Sequence, residues 1–127
     1  MTESMATVLV VEDEFLVRDY VVDQLRDSGF TVVAVGDATK AMEVLTTNPS
    51  VGLVFTDVTL PGKLDGFDLV KWIRSQKPSL PVVITSGGHN ADKAAEVCKG
   101  ESFVTKPYDL NRLINCFRRL LGKSKAP

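Results

Sequence analysis

The sequence predicts a three-layer α/β sandwich, a parallel sheet covered by helices on both faces. Three observations point to it. Five apolar runs too short for helices alternate with stretches of helical period, the pattern of repeated β-α units. At 127 residues the chain has the size of one domain and can bury about two thirds of its unfolded surface without a disulfide or metal staple. No internal repeat, low-complexity run or linker interrupts the alternation, so residues 1–127 are read as a single domain with its core over 7–121 and no output domain attached.

Taken in order, "ATVLVV" is the first strand. Val17, Tyr20, Val21 and Leu25 then fall at i, i+3, i+4 and i+8, one stripe of a helix that Gly29 ends. "FTVVAV" is the second strand, followed by Asp37 as a helix N-cap and by Ala38, Ala41, Met42 and Leu45 on a second stripe, closed by Pro49. "VGLVFTDVTL" is the third strand and "LPVVIT" the fourth. Between them a helix is expected over Phe67 to Gln76, set off by Lys77 and Pro78. A fourth helix is expected somewhere in "HNADKAAEVCK", short or mobile because Ala94, Ala95, Val97 and Cys98 supply little bulk. "SFVT" is the fifth strand. The final helix starts after Asp109 and repeats Leu110, Leu113, Ile114, Phe117, Leu120 and Leu121 at helical spacing, and the tail "GKSKAP" is expected to fray.

Composition narrows the function. A hydrophobic fraction of 44% with 24% charged residues is that of a soluble globular protein, and a net charge of −1 argues against a nucleic-acid surface, which needs a basic excess. The start, "MTESMATVLVVEDE", is neither a signal peptide nor a membrane span, which places the expected location in the cytoplasm. Cys98 and Cys116 fit no metal or redox spacing and read as small core hydrophobes; His89, alone, reads as a loop or helix-cap residue.

In open parallel sheets the ligand site lies outside the carboxyl ends of the strands, so each strand is read at its last residue. The first runs into Glu12, Asp13 and Glu14, the third ends at Asp57, the fourth at Thr85 and Ser86, the fifth at Lys106 and Pro107. Clustered carboxylates repel by about 4 kcal/mol per pair at contact with an intermediate dielectric, so they call for a cation. Hard oxygen donors without histidine or thiolate suit magnesium, which keeps several waters and takes one or two carboxylates with a phosphate oxygen. Lys106 adds an ammonium and Ser86 a hydroxyl, both suited to phosphoryl oxygens. Each residue alone also has a plain structural reading: Glu12 to Glu14 favouring a helix N-terminus, Asp57 forming a turn, Ser86 capping a helix, Lys106 lying in solvent. Four strand ends out of five with complementary phosphate chemistry argue for the joint reading.

With "VLVVEDE", "FTDVTLPGKLDGFDL", "PVVITSG" and "FVTKP" in this order, the chain resembles the receiver domain of two-component response regulators over about Thr7 to Leu121. The resemblance implies a flavodoxin-like sheet of order 2-1-3-4-5 and a phosphoacceptor signalling role. Asp57 would take a phosphoryl group from a sensor histidine kinase or a phosphotransfer protein. Glu12, Asp13, Asp57 and the main-chain carbonyl of Thr59 would hold Mg2+, Asp13 directly and Glu12 largely through water. Ser86 and Lys106 would hold the phosphoryl oxygens, with Ser86 and Phe103 as switch residues. The Lys106 to Pro107 peptide is expected to be cis. The chain would assist only its own phosphoryl transfer and slow autodephosphorylation. The face of the fourth helix, fifth strand and final helix would be read by a downstream protein, with no direct nucleic-acid or membrane contact, as a monomer or a phosphorylation-dependent dimer.

Some positions depart from the family's pattern. "PGKLDGF" is one residue longer than the common loop, Thr85 stands where an apolar residue is usual, Gly87-Gly88 replaces alanine and a longer side chain, and the stretch from Ser86 to Phe103 is about two residues short. These leave the acceptor intact and suggest a loose segment after the fourth strand, with the partner surface depending more on the final helix, whose Arg112, Arg118 and Arg119 read either as meeting an acidic partner or as a solvated basic face. Rival readings fail on residues: a haloacid dehalogenase needs a second carboxylate where Thr59 stands, a flavodoxin-like binder would meet Glu12 to Glu14, and a nucleotide switch needs a P-loop. The remaining alternative is a phosphorylation-independent docking receiver.

Overall fold

The computed structural model describes residues 6–87, 96 and 101–125. Alternation along the strands builds two cores at once. On β1 (Thr7–Val11), Val8 and Val10 pack into one apolar cluster while Leu9 and Val11 pack into the other. The same division runs through β3 (Val51–Asp57), where Leu53 and Phe55 oppose Val54, and through β4 (Val82–Ser86), where Val83 opposes Val82 and Ile84. Burial on both faces is why these strands read as continuous apolar runs.

With β2 (Thr31–Val35) and β5 (Ser102–Thr105), the strands form a parallel sheet of order β2-β1-β3-β4-β5, the flavodoxin-like order. One face is covered by α1 (Phe15–Asp27) through Val21, Val22 and Leu25, and by the C-terminal helix (Leu110–Lys125) through Leu113, Ile114, Phe117 and Leu121. The other is covered by α2 (Ala38–Thr47) through Ala38, Ala41 and Leu45, and by α3 (Gly66–Gln76) through Phe67, Leu69, Val70 and Ile73. Of the helix expected within "HNADKAAEVCK", Glu96 is described, as helical and exposed; the rest of the stretch, with His89 and Cys98, and Gly88 before it lie outside the described residues.

Local chemistry sets the helix ends. Asp37 caps α2 by accepting from the Lys40 N–H at 2.8 Å. Asp65 and Asp68 form a reciprocal capping box at the start of α3. Asp109 accepts from the Asn111 N–H at 2.8 Å ahead of the C-terminal helix. After α1, Gly29 takes φ +99°, the left-handed turn that lets the chain reverse into β2. At its end α3 is tied to the rest by Arg74, which pairs with Glu101 and donates to the carbonyls of Pro78 and Leu80.

Two expectations are corrected. Tyr20 is 58% exposed and Val22 takes its place in the core, so α1 is rotated from the stripe the spacing suggested. The C-terminal helix does not fray at Gly122 but runs on to Lys125. Arg118 is exposed, like Arg112 and Arg119, and also makes contacts within the fold: its Nη2 donates to the Ser28 carbonyl at 3.0 Å and its guanidinium lies 5.8 Å from the Phe30 ring centroid. Cys116 is half-buried against the α1-side core, in keeping with its reading as a small hydrophobe.

Candidate functional site

The carboxyl ends of β1, β3, β4 and β5 deliver the site. Asp57 is the last residue of β3, the central strand, and is 6% exposed. Its Oδ1 accepts the Thr59 N–H at 2.8 Å, and its Oδ2 is paired with the Lys106 ammonium. Lys106 arrives from the end of β5, where its own N–H donates to the Ser86 carbonyl at 3.0 Å, and the Lys106–Pro107 peptide is cis.

Glu12 is held at every polar atom. Its N–H donates to the Val35 carbonyl at 3.0 Å, its carbonyl accepts Arg18 Nη1 at 2.8 Å, its Oε2 accepts the Glu14 N–H at 2.9 Å, and its Oε1 lies 3.7 Å from Lys106 Nζ. Asp13, next along the turn, is exposed, as is Thr59 on the loop after β3. Ser86 is buried, with its hydroxyl 3.5 Å from the Gly87 carbonyl. Phe103 is half-buried on β5, packed against the α2 and α3 side, and borders a cleft of about 550 Å³ with Tyr108, Asp109 and Arg112. The structure therefore brings Glu12, Asp57 and Lys106 into contact, places Ser86 one strand away, and leaves Asp13 and Thr59 at the open rim.

Electrostatics follow from this packing. Burial raises the Glu12 carboxyl above its ordinary value, the Asp57 and Asp13 charges add to the rise, and the Glu14 N–H and Lys106 oppose it. For Lys106, burial pulls the ammonium down, but the hydrogen bond and charge of Asp57, with the charge of Glu12, hold it above the ordinary lysine value. Burial likewise raises the Tyr108 hydroxyl against the pull of Lys106.

The donor set fits magnesium. Two buried carboxylates face one ammonium, a third carboxylate stands at the rim, and all are hard oxygens. Among the described residues no three His, Cys, Asp or Glu side chains are gathered into a complete metal cage. Magnesium does not require one, because it keeps several of its waters.

Three features lay beyond the sequence reading. Gly66 packs on the end of β3 so closely that a Cβ there would lie 2.3 Å from the Asp57 carbonyl oxygen and 2.4 Å from Val58 Cα. Arg18 reaches back six residues to Glu12. An apolar groove of about 660 Å³ runs beside the site between Leu16, Val17 and Tyr20 of α1 and Lys106, Pro107 and Tyr108. Phe15 and Leu16, 61% and 77% exposed, continue this apolar edge, and its only signal in the sequence was two large apolar residues directly after an acidic turn.

A fold of this order, with an aspartate and a lysine meeting at the strand ends, is that of a response regulator receiver domain. The family model so described matches residues 8–118, and the chain belongs to that family. Among its relatives, the two-component response regulator PhoP of Pseudomonas aeruginosa is 35% identical over 120 residues, covering 93% of this chain and 52% of PhoP. The nitrogen assimilation regulatory protein NtrX of Azorhizobium caulinodans is 33% identical over 118 residues, 90% of this chain, which spans only 26% of NtrX. Among solved structures, a response regulator receiver domain protein from Clostridium thermocellum superposes with TM-score 0.89 at 26% identity, covering 95% of this chain and 98% of that one. The receiver domain of NtrX from Brucella abortus gives 0.83 at 37% identity, with 91% and 98% covered. Receiver domains are phosphoacceptor signalling domains that take their signal from sensor histidine kinases and generally bind Mg2+ at the phosphorylation site. No helix among the described residues is long and apolar enough to cross a membrane.

Proposed function

We propose that Asp57 is the phosphoacceptor of this chain, with Lys106 and Ser86 receiving the phosphoryl oxygens and Glu12, Asp13, Asp57 and the Thr59 carbonyl holding Mg2+. The observation that carries this reading is the Asp57 carboxylate at the end of the central strand, nearly buried yet bonded to the Thr59 N–H and the Lys106 ammonium. Bound magnesium would supply charge neutralisation and help align the phosphoryl donor. The rest belongs to the protein. An Asp57 oxygen attacks phosphorus, an O–P bond forms, and the bond from phosphorus to the donor histidine nitrogen or acetate oxygen breaks, leaving an acyl phosphate.

Lys106 then moves from the carboxylate to a phosphoryl oxygen, keeping a charge-assisted hydrogen bond throughout. Ser86, whose hydroxyl makes a long contact to the Gly87 carbonyl, gains a stronger acceptor in the phosphoryl group. That gain biases the segment after β4 and the half-buried Phe103 ring, so that phosphorylation shifts a population on the β5 and C-terminal-helix face read by a protein partner. A sensor kinase or phosphotransfer protein as donor, slow autodephosphorylation, and action of residues 7–121 as one unit complete the proposal.

The test is intact mass or phosphate-affinity electrophoresis after incubation with acetyl phosphate, with and without Mg2+, beside Asp57→Asn. One added phosphoryl group that needs magnesium and is lost in the variant supports the assignment. A folded wild-type protein that gains none from acetyl phosphate or from a phosphorylated phosphotransfer protein rejects it in favour of phosphorylation-independent docking.

A further inference from the structure

The turn that carries Glu12 and Asp13 joins β1 to α1, and its geometry is decided from outside the turn. Arg18, one turn into α1, sends Nη1 back to the Glu12 carbonyl at 2.8 Å, while its N–H bonds the Glu14 carbonyl at 2.8 Å. Glu14 begins the helix without a side-chain cap, and its N–H is used on Glu12 Oε2. One arginine thus holds both ends of the acidic turn against the first turn of the helix.

Gly36, just past β2, gives the guanidinium room: a Cβ there would lie 3.1 Å from Arg18 Nη1, so the side-chain tip would have to yield by a few tenths of an ångström. Arg18 acts on the turn through the Glu12 main chain.

We propose that Arg18 is a positioning residue for the divalent cation: its bond to the Glu12 carbonyl fixes the Glu12 main chain, and with it the spacing of the Glu12 and Asp13 carboxylates, in a space that Gly36 leaves uncrowded. This rests on the reading of Glu12 and Asp13 as metal-facing residues. Removing the bond lets the turn sample other spacings, and the cation then has to organise its own ligands, so affinity falls while the chemistry of the assembled site does not.

The test is the Mg2+ dissociation constant of the unphosphorylated protein by isothermal titration calorimetry, with the acetyl phosphate reaction measured across magnesium concentrations. For Arg18→Met the dissociation constant should rise about three- to tenfold, the worth of one hydrogen bond to an ordered carbonyl, while the rate at saturating magnesium stays within about twofold of wild type. Arg18→Lys, which keeps a donor, should recover part of the loss. Gly36→Ala, with Arg18 in place, should weaken magnesium in the same direction, and the double variant should bind no worse than Arg18→Met, because both changes break one bond. Should Arg18→Met not fold, Arg18→Lys and Gly36→Ala decide the matter alone. Wild-type binding with unchanged affinity in these variants overturns the inference, as do fully additive losses in the double variant. A wild-type protein that does not bind magnesium rejects instead the metal-facing reading on which the inference stands.

Discussion

The Lys106 ammonium and the Asp57 carboxylate are paired across strands that are not neighbours, since β4 lies between the strands that carry them. The bond is therefore a tertiary tether over the end of the sheet as well as a feature of the site. Lys106→Met leaves Asp57 and Glu12 without their counter-charge and is expected to lose about 1–3 kcal/mol of stability at neutral pH in urea denaturation. Because the folded state holds the Lys106 pKa above the ordinary 10.5, the pair's contribution is complete below that value and disappears as pH rises through the folded one. On the alkaline side the gap between wild type and variant should close in that range, and a gap that persists above it would contradict the pairing.

Glu12 acts in the same direction in an acidic window. Its carboxyl is raised above 4.5, so the folded protein binds this proton more readily than the unfolded chain, and stability falls as pH climbs from 4.5 through the raised value. Glu12→Gln removes that penalty while keeping an acceptor for the Glu14 N–H. The variant is expected to be more stable than wild type at pH values above that window and equal to it below, in denaturant titrations without magnesium. Added magnesium should narrow the difference by binding the wild type better.

Thr85 is 2% exposed and its hydroxyl has no hydrogen-bond partner among the described residues. Thr85→Val replaces the hydroxyl with a methyl of similar shape and should raise stability by about 1 kcal/mol, read as a higher urea midpoint at unchanged m-value. A loss of stability would mean the hydroxyl has a partner in solution.

Gly66 leaves no such freedom. Any Cβ there collides with the backbone of Asp57 and Val58, which cannot step aside as a side-chain tip can. Gly66→Ala is expected to cost about 1–3 kcal/mol or more and to displace the acceptor loop, visible as amide shifts at Asp57 and Thr59 in NMR spectra.

Arg118→Ala loses the Ser28 carbonyl bond and the contact with the Phe30 ring and should cost about 0.5–1.5 kcal/mol. Arg112→Ala and Arg119→Ala, at exposed positions, should stay within about 0.5 kcal/mol of wild type. Equal effects at all three would return Arg118 to the solvated face.

What was legible in the sequence depended on how local its cause is. "SFVT" marked β5 to the residue because its neighbours on both sides are polar, and Asp37 and Asp109 announced their helices because a cap is made within three residues. The apolar run "VGLVFTDVTL" continues three residues past Asp57, where β3 was read to end and does end, because the loop tucks Val58 and Leu60 into the core beyond the strand. Tyr20 and Val22 were exchanged because apolar spacing fixes a helix's stripe only to within one residue, and the packing of α1 against Leu53 and Phe117 selects between them. At the site, Glu12, Asp57 and Lys106 were readable from their places at strand ends. The reach of Arg18 and the close approach of Gly66 were not, since each depends on a contact that exists only once separate segments have packed.

The sheet order also separates stiffness from softness. β3 is laddered on both sides, to β1 and β4, whereas β5 is laddered on one side and is the shortest strand. Main-chain amides of β3 should therefore exchange with deuterium only when the whole molecule opens, and those of β5 through smaller, cheaper openings. Asp57, the proposed acceptor, would then sit on the slowest-exchanging part of the chain and Phe103 on one of the fastest. A covalent change at a fixed point can then be felt at a yielding edge without drawing on the stability of the whole.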